Sequence, residues 1–220
     1  MSSINLFNPF QTISGFDLTQ ELENFIVPET CIVTMNDIWQ LYKNRFPKKI
    51  DVYFVNTLEE KELEKDISKF KNYKMVIGFG GGQALDIAKY FSWKCNLKLF
   101  QFPTSISVDA VFGHRSGIRR EGNVNYIGWA IPECIFLDYE IIQSAPKIYN
   151  YSGIGDVLCF YTGVLDWQYA NKQNKCEEKW SYKSKLANKS LAYVDDLLLN
   201  AENIREMNIE GINTIISAHQ

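Results

Sequence analysis

The chain has 220 residues, of which 46% are hydrophobic, 14% aromatic and 22% charged, so it is long enough for one large or two small domains and too apolar for disorder. Its formal net charge of -3 gives no general attraction for phosphate backbones or anionic lipid, so we expect neither nucleic-acid nor membrane binding. The N-terminal MSSINLFNPF lacks the basic region and apolar core of a leader, and no apolar run is long enough for a membrane helix, so a cytoplasmic protein is expected.

The first half of the chain alternates between short strands and helices. Residues 58–70 carry apolar side chains at near-helical spacing, and Thr57 and Glu60 before them have the form of a capping box. The strand-like segments are rich in β-branched and aromatic residues. This alternation predicts an α/β fold with a parallel sheet. The predicted strands are residues 30–35, 50–55, 74–79 and 97–103, and a further helix is predicted from Gln83 to Trp93.

The pattern changes in the stretch 114–137. Two short strand-like pieces are joined there by Arg120-Glu121-Gly122-Asn123, which predicts a β-hairpin before a last core strand, CIFLD. After Pro146 the chain becomes helical, so we place a domain boundary at residue 148, with a first domain over 1–148 and a partial helical domain over 149–220. The predicted helices cover residues 154–165, 186–199 and 201–220.

The end of the chain and the cysteines are also informative. NIEGINTIISAHQ is apolar and helix-like up to Gln220, which predicts a fragment of a longer protein. The five cysteines form no CxxC pair, so neither a disulfide framework nor a zinc ribbon is expected. Cys31 and Cys134 lie inside strand-like runs, where buried free thiols are typical.

A glycine-rich turn, GFGGGQALDIAKY, covers residues 78–90. Gly80, Gly81 and Gly82 follow a strand and precede a helix, so the backbone can approach an anion that the first-turn N–H groups and the helix dipole attract. A tight turn with no ligand is an equal alternative. For Asp86, in the first turns of the helix, spacing alone favours a surface charge.

A second polar segment, FPTSISVDA, covers residues 102–110. Thr104, Ser105 and Asp109 follow a parallel strand at its carboxyl end, where open α/β sheets bind ligands, although an ordinary polar loop has the same composition. A third segment places Asp156 among apolar residues of a helix, where a carboxylate needs a partner. Capping of the helix N-terminus is the simplest explanation from the residues alone, and metal binding is the alternative. His114 and His219 indicate no site by themselves.

Together, these segments resemble the iron-containing alcohol dehydrogenase and dehydroquinate synthase-like superfamily, especially its glycerol dehydrogenase and glycerol-1-phosphate dehydrogenase branches. The matching stretches are residues 78–90, 102–110, 134–146 and 153–167, in that order. The resemblance implies a Rossmann-like N-terminal domain that binds NAD(P), followed by a helical domain that holds a catalytic divalent metal, Zn or Fe, in the cleft between them.

The resemblance also implies roles for individual residues. By position, Asp109 would reach toward nicotinamide and substrate, and Asp156 would be the first metal ligand. His219 does not lie in a motif like the family's metal-binding histidine segments, so poor metal affinity is expected. The cofactor-binding residues implied by the resemblance are Gly80, Gly81 and Gly82 for the pyrophosphate, with Asp86, Lys89, Thr104 and Ser105.

The implied activity is hydride transfer at a secondary alcohol or ketone of a small polyol or polyol phosphate, by an enzyme able to form a homo-oligomer. One alternative is a dehydroquinate synthase-like cyclase or lyase that uses NAD transiently. Another is a non-catalytic nucleotide-binding fragment, and the activity of this chain on its own is left open.

Overall fold

The computed structural model describes residues 11–220. The first ten residues, on which the expectation about a leader depends, lie outside the described residues. The six strands of the main sheet are β1 (Thr12–Gly15), β2 (Thr30–Thr34), β3 (Asp51–Phe54), β4 (Met75–Gly80), β5 (Lys98–Pro103) and β8 (Cys134–Asp138), and the strands β6 (Ser116–Arg120) and β7 (Asn123–Ile127) form the predicted hairpin.

The main sheet is parallel throughout and has the strand order β1-β8-β5-β4-β2-β3. The predicted α/β fold with a parallel, Rossmann-like sheet is therefore confirmed. The helices are α1 (Leu18–Glu23), α2 (Asn36–Tyr42), α3 (Glu60–Phe70), α4 (Gly82–Cys95), α5 (Tyr139–Ser144), α6 (Lys147–Lys172), α7 (Ser184–Leu199), α8 (Ala201–Glu206) and α9 (Ile209–His219).

Alternating side chains of the sheet fill two apolar layers, as the period of two in a β-strand requires. In β2, Val33 faces the layer closed by α3 and α4, whereas Ile32 faces the layer closed by α1, α2 and α5. Both residues are fully buried. A sheet covered on both faces explains why its strands read as nearly continuous apolar runs.

The structure divides into two compact units. Among the described residues, one comprises residues 11–105 together with Asp109–Ala145, and the other comprises Ile106–Val108 together with Pro146–Gln220. The second unit is helical and includes α6 to α9. The division of the chain at residue 148 into two domains stays a prediction.

Two local predictions were wrong. Glu59, not Thr57, precedes α3, and Thr57 Oγ1 accepts a hydrogen bond from the N–H of Glu59 at 3.0 Å, so no capping box forms. The helix predicted over 201–220 is interrupted at Met207, whose φ of 56° lies in the left-handed region. Asn208 then begins α9 by accepting the Gly211 N–H at 3.0 Å.

The carboxylate of Asp138 ties two helices to the carboxyl end of β8. Its two oxygens accept hydrogen bonds from the N–H groups of Leu18 at 2.8 Å and Ile141 at 3.1 Å, and the residue is fully buried. We expect Asp138→Ala to lower the free energy of unfolding by about 2 to 3 kcal/mol, because two buried donors lose their acceptor. Urea denaturation measures this, with Asp138→Asn, which keeps one oxygen, as the intermediate control. Equal stability of all three proteins would contradict the assignment.

No helix among residues 11–220 has the length and apolar character needed to cross a membrane. All five cysteines are free, and Cys31 and Cys134 are buried in the sheet. Burial raises the pKa of the Cys31 thiol to about 12 and that of Cys134 to about 11, so both thiols are protonated at neutral pH.

Candidate functional site

The glycine-rich turn joins β4 to α4, and its glycines serve different steric purposes. A Cβ on Gly78 would lie 2.7 Å from Gln101 Oε1 and 2.9 Å from Ala88 Cβ, so this glycine lets α4 pack closely on the sheet. Gly80 has a φ of 150°, a conformation that L side chains rarely adopt. The fold itself therefore accounts for Gly78 and Gly80.

Gly81 is different, because neither packing nor backbone conformation demands a glycine there. Its φ of -80° and ψ of -176° suit any residue, and among the described residues a Cβ on it would meet only Ser105 Oγ, at 3.9 Å. Gly81 is the N-cap of α4, and no side chain of residues 11–220 caps this helix end. The position leaves room for a group that accepts the first-turn N–H donors, as an oxyanion would.

The strand β5 brings Thr104 and Ser105 beside this turn. The N–H of Thr104 donates to the carbonyl oxygen of Gly80 at 3.0 Å, and Thr104 is 5% exposed. Ser105 is partly exposed and faces Gly81. The two polar loops thus meet at the carboxyl end of adjacent strands, as the sequence predicts.

Asp109 opens a single 3-10 turn, Asp109–Val111, and its side chain is exposed. The carbonyl oxygen of Asp109 accepts hydrogen bonds from the N–H groups of Phe112 at 2.9 Å and Gly113 at 3.1 Å. This turn gives the Asp109 backbone a defined position. A role of Asp109 toward a bound nicotinamide stays a prediction.

Asp86 and Lys89 form an ion pair of 2.8 Å on α4, with side chains only 17% and 1% exposed. The expectation of a surface charge at Asp86 was wrong, because the hairpin β6–β7 covers that face of the helix. Burial raises the pKa of Asp86, although the Lys89 ammonium and the Gly117 N–H act in the opposite direction. Direct contact of either side chain with a cofactor stays a prediction.

Asp156 lies well inside α6, which begins at Lys147. The expectation that Asp156 caps a helix N-terminus was therefore wrong, since the backbone N–H groups at that depth of a helix are already bonded. Asp156 lines an open cavity of about 270 Å³ with Cys159 and Trp167 of the same helix and Ser190 of α7. Among the described residues there is no group of three His, Cys, Asp or Glu side chains arranged for a metal ion.

The sequence did not predict one set of contacts in the helical unit, between Ile106, α6 and His219. Asn150 Oδ1 accepts the N–H of Ile106 at 3.0 Å, and Asn150 is fully buried. A Cβ on Gly153 would lie 2.0 Å from the carbonyl oxygen of Ile106. His219 Nε2 lies 3.0 Å from the carbonyl oxygen of Gly153. A glycine in the middle of an apolar helical pattern was the one available signal of this close approach.

Comparison with known proteins finds a matching family and related proteins. The family described as iron-containing alcohol dehydrogenase matches residues 33–146. A glycerol-1-phosphate dehydrogenase [NAD(P)+] from Pyrococcus horikoshii is 30% identical over 227 residues, an alignment that covers 96% of this chain and 63% of that protein. The chain therefore spans less than two thirds of the length of this curated relative.

Solved structures share the fold. A glycerol dehydrogenase from Schizosaccharomyces pombe has a TM-score of 0.74 at 21% identity, covering 96% of this chain and 58% of that one. A sulfoacetaldehyde reductase from Bifidobacterium kashiwanohense, solved in complex with NAD+, has a TM-score of 0.69 at 14% identity, covering 96% of this chain and 64% of that one. At these identities the likeness extends to the fold alone.

Proposed function

Because the chain belongs to the iron-containing alcohol dehydrogenase family, we propose that it is the cofactor-binding part of an NAD(P)-dependent, divalent-metal-dependent dehydrogenase. The proposed substrate is glycerol-1-phosphate, because the related Pyrococcus horikoshii protein is named for it. The reaction is hydride transfer between the carbinol carbon of the substrate and the nicotinamide ring. A free polyol is the alternative substrate class, because the similar Schizosaccharomyces pombe structure is that of a glycerol dehydrogenase.

The observation that carries the proposal is the open N-terminus of α4 at Gly81. The helix has 14 residues, no side-chain cap from the described part of the chain, and a glycine that the fold does not require, with Ser105 Oγ facing it. A pyrophosphate fits this position because the first-turn N–H groups donate to its oxygens and the helix dipole favours negative charge. Gly80, Gly81, Gly82, Thr104 and Ser105 are the residues proposed to contact NAD(P).

When bound, the nicotinamide supplies the acceptor or donor of the hydride. This chain's residues contribute position and electrostatics. The N-terminal N–H groups of α4 would hold the pyrophosphate, Ser105 would offer a hydroxyl beside it, and Asp109 is proposed to contact the nicotinamide and the substrate hydroxyl.

Asp156 is proposed as one ligand of the divalent metal. The described residues contain no group of three metal-ligating side chains and so do not by themselves account for a metal centre. We therefore expect weak metal affinity for the 220-residue chain, because a single carboxylate leaves most coordination positions to water. The roles proposed above for Ser105 and Asp109 do not depend on that affinity.

The first test is titration of the protein with NADH, followed by nicotinamide fluorescence, with and without zinc. Saturable binding is expected in both conditions, because the glycine turn and β5 lie in the same unit. The second test adds NAD+ with glycerol-1-phosphate or with glycerol in the presence of excess zinc, which offsets the weak metal affinity, and the expected result is NADH accumulation with a preference for the phosphate ester. Saturable NADH binding without NADH accumulation would instead support the cyclase or the non-catalytic alternative. No NADH binding by the folded protein would refute the proposal.

A further inference from the structure

Lys89 is the most heavily hydrogen-bonded buried cation among the described residues of the first unit. Its ammonium group lies 2.8 Å from Asp86 Oδ1 and donates to the carbonyl oxygens of Ala110 at 2.8 Å, Gly113 at 3.1 Å and Arg115 at 2.8 Å. The side chain is 1% exposed. An ammonium has three protons, so four protein oxygens already saturate it.

All three carbonyl groups belong to the short segment that begins at Asp109. A further set of contacts extends the same attachment, because Ser116 Oγ donates to the carbonyl oxygen of Asp86 at 2.9 Å and the Gly117 N–H hydrogen-bonds to the Asp86 carboxylate. A Cβ on Gly117 would lie 2.9 Å from Asp86 Oδ2, so this glycine permits the approach. One turn of α4 thus holds the chain from Ala110 to Gly117.

We propose that Lys89 is a positioning residue, which fixes the segment that carries Asp109 to the same helix whose first turn binds the cofactor pyrophosphate. This inference rests on the proposed function. Gly81 at the start of α4 and Lys89 two turns later are parts of one continuous helix. A rigid helix therefore sets the distance between the pyrophosphate position and Asp109. Lys89 acts through backbone carbonyl groups and needs no contact with NAD(P) or substrate.

The alternative is that Lys89 only stabilises the fold. A buried ammonium paired with one carboxylate could do that without the three carbonyl groups. The geometry favours positioning because the carbonyl groups come from residues 21, 24 and 26 positions later in the chain, all within one loop. Three carbonyl groups that bind one ammonium fix the path of the loop, as they would around a bound metal cation.

The variant Lys89→Met tests this, since it keeps the volume of the side chain and removes the ammonium. Because it leaves Asp86 buried without its counter-charge, the double variant Asp86→Asn/Lys89→Met is made as well. Lys94→Met is the matched control, because Lys94 lies on the same helix, its nearest carboxylate is Glu64 at 3.7 Å, and it is 25% exposed.

The first readout is hydrogen exchange of the Phe112 and Gly113 amides, which are bonded to the Asp109 carbonyl oxygen. We expect exchange about 10-fold faster or more in Lys89→Met and in the double variant, with wild-type rates in Lys94→Met and unchanged protection of Ile32 in every variant. Unchanged exchange at Phe112 and Gly113 in the folded double variant would overturn the inference. This readout needs neither cofactor nor turnover, so it stays decisive if wild-type protein fails to bind NADH and the proposed function falls.

The second readout distinguishes a positioning role of Lys89 from a purely stabilising one, and it requires protein that turns over substrate. Lys89→Met is expected to lower kcat about 100-fold, to change the NADH dissociation constant by no more than about 3-fold, and to add nothing when combined with Asp109→Asn. Losses that multiply in the combined Asp109→Asn/Lys89→Met variant would show that Lys89 does not act through the Asp109 segment.

Discussion

Replacing Gly81 with Asp is expected to weaken NADH binding by about 100-fold or more, corresponding to about 3 kcal/mol. The added carboxylate would lie at the N-terminus of α4, where the cofactor pyrophosphate is proposed to bind, so two anions would compete for one set of N–H donors. The fold should tolerate the change, because Gly81 has an ordinary backbone conformation and its side-chain direction is open. Fluorescence titration with NADH measures the affinity.

Thermal unfolding of the same protein provides the internal control. Asp is a favoured N-cap residue, so Gly81→Asp should keep or slightly raise the melting temperature while binding is lost. Gly81→Asn adds nearly the same volume without the charge, and a much smaller loss of affinity is expected. Equal losses in both variants would assign the effect to bulk, whereas wild-type affinity in Gly81→Asp would exclude the glycine turn as the dinucleotide site.

A second large effect is expected from Gly153→Ala, on stability rather than on binding. The new Cβ would lie 2.0 Å from the carbonyl oxygen of Ile106, and this atom is backbone that cannot rotate away. The loop or α6 would have to move, and the Asn150–Ile106 hydrogen bond of 3.0 Å would be strained with it. We expect the free energy of unfolding to fall by about 3 kcal/mol.

The same helix supplies the controls for this prediction. A Cβ added to Gly155 or to Gly163 would meet no atom of residues 11–220 within 4 Å beyond its own stretch of helix. Gly155→Ala and Gly163→Ala should therefore each stabilise the protein by about 0.5 to 1 kcal/mol through helix propensity. Chemical denaturation of the three variants compares them directly. Similar stabilities for Gly153→Ala and Gly155→Ala would refute the close approach of Ile106 to α6.

The main-sheet strands predicted from the sequence include four that are largely buried and the exposed to half-buried edge strand β3, predicted over residues 50–55 and observed at Asp51–Phe54. β2, β4, β5 and β8 carry continuous apolar runs, and their positions were predicted to within about one residue, a precision that element boundaries rarely exceed. β1 was not predicted, because TISG is short, only partly buried and at the edge of the sheet. The break between α8 and α9 was missed for a different reason. Met207 adopts a left-handed conformation that normally signals glycine or asparagine.

In the candidate site, too, some contacts follow from the sequence and others do not. The meeting of Gly81 with Ser105 follows from a general rule, because neighbouring parallel strands deliver their following loops to the same edge. The attachment of Lys89 to the loop after Asp109 follows from no local pattern, since a lysine in an amphipathic helix ordinarily faces solvent. The contact between Asn150 and Ile106 joins residues 44 positions apart, which only the folded chain brings together.

The contribution of Ile106–Val108 to the helical unit also bears on the order in which the protein folds. This short segment leaves the ribosome well before α6, yet its backbone N–H and carbonyl groups meet Asn150 and Gly153 only when that helix exists. Helical bundles usually fold rapidly because their contacts are local in sequence, whereas the contacts of Ile106 with Asn150 and Gly153 are not local. Completion of the helical unit therefore requires a segment that lies, in sequence, between parts of the sheet unit, which makes the folding of the two sequence regions interdependent.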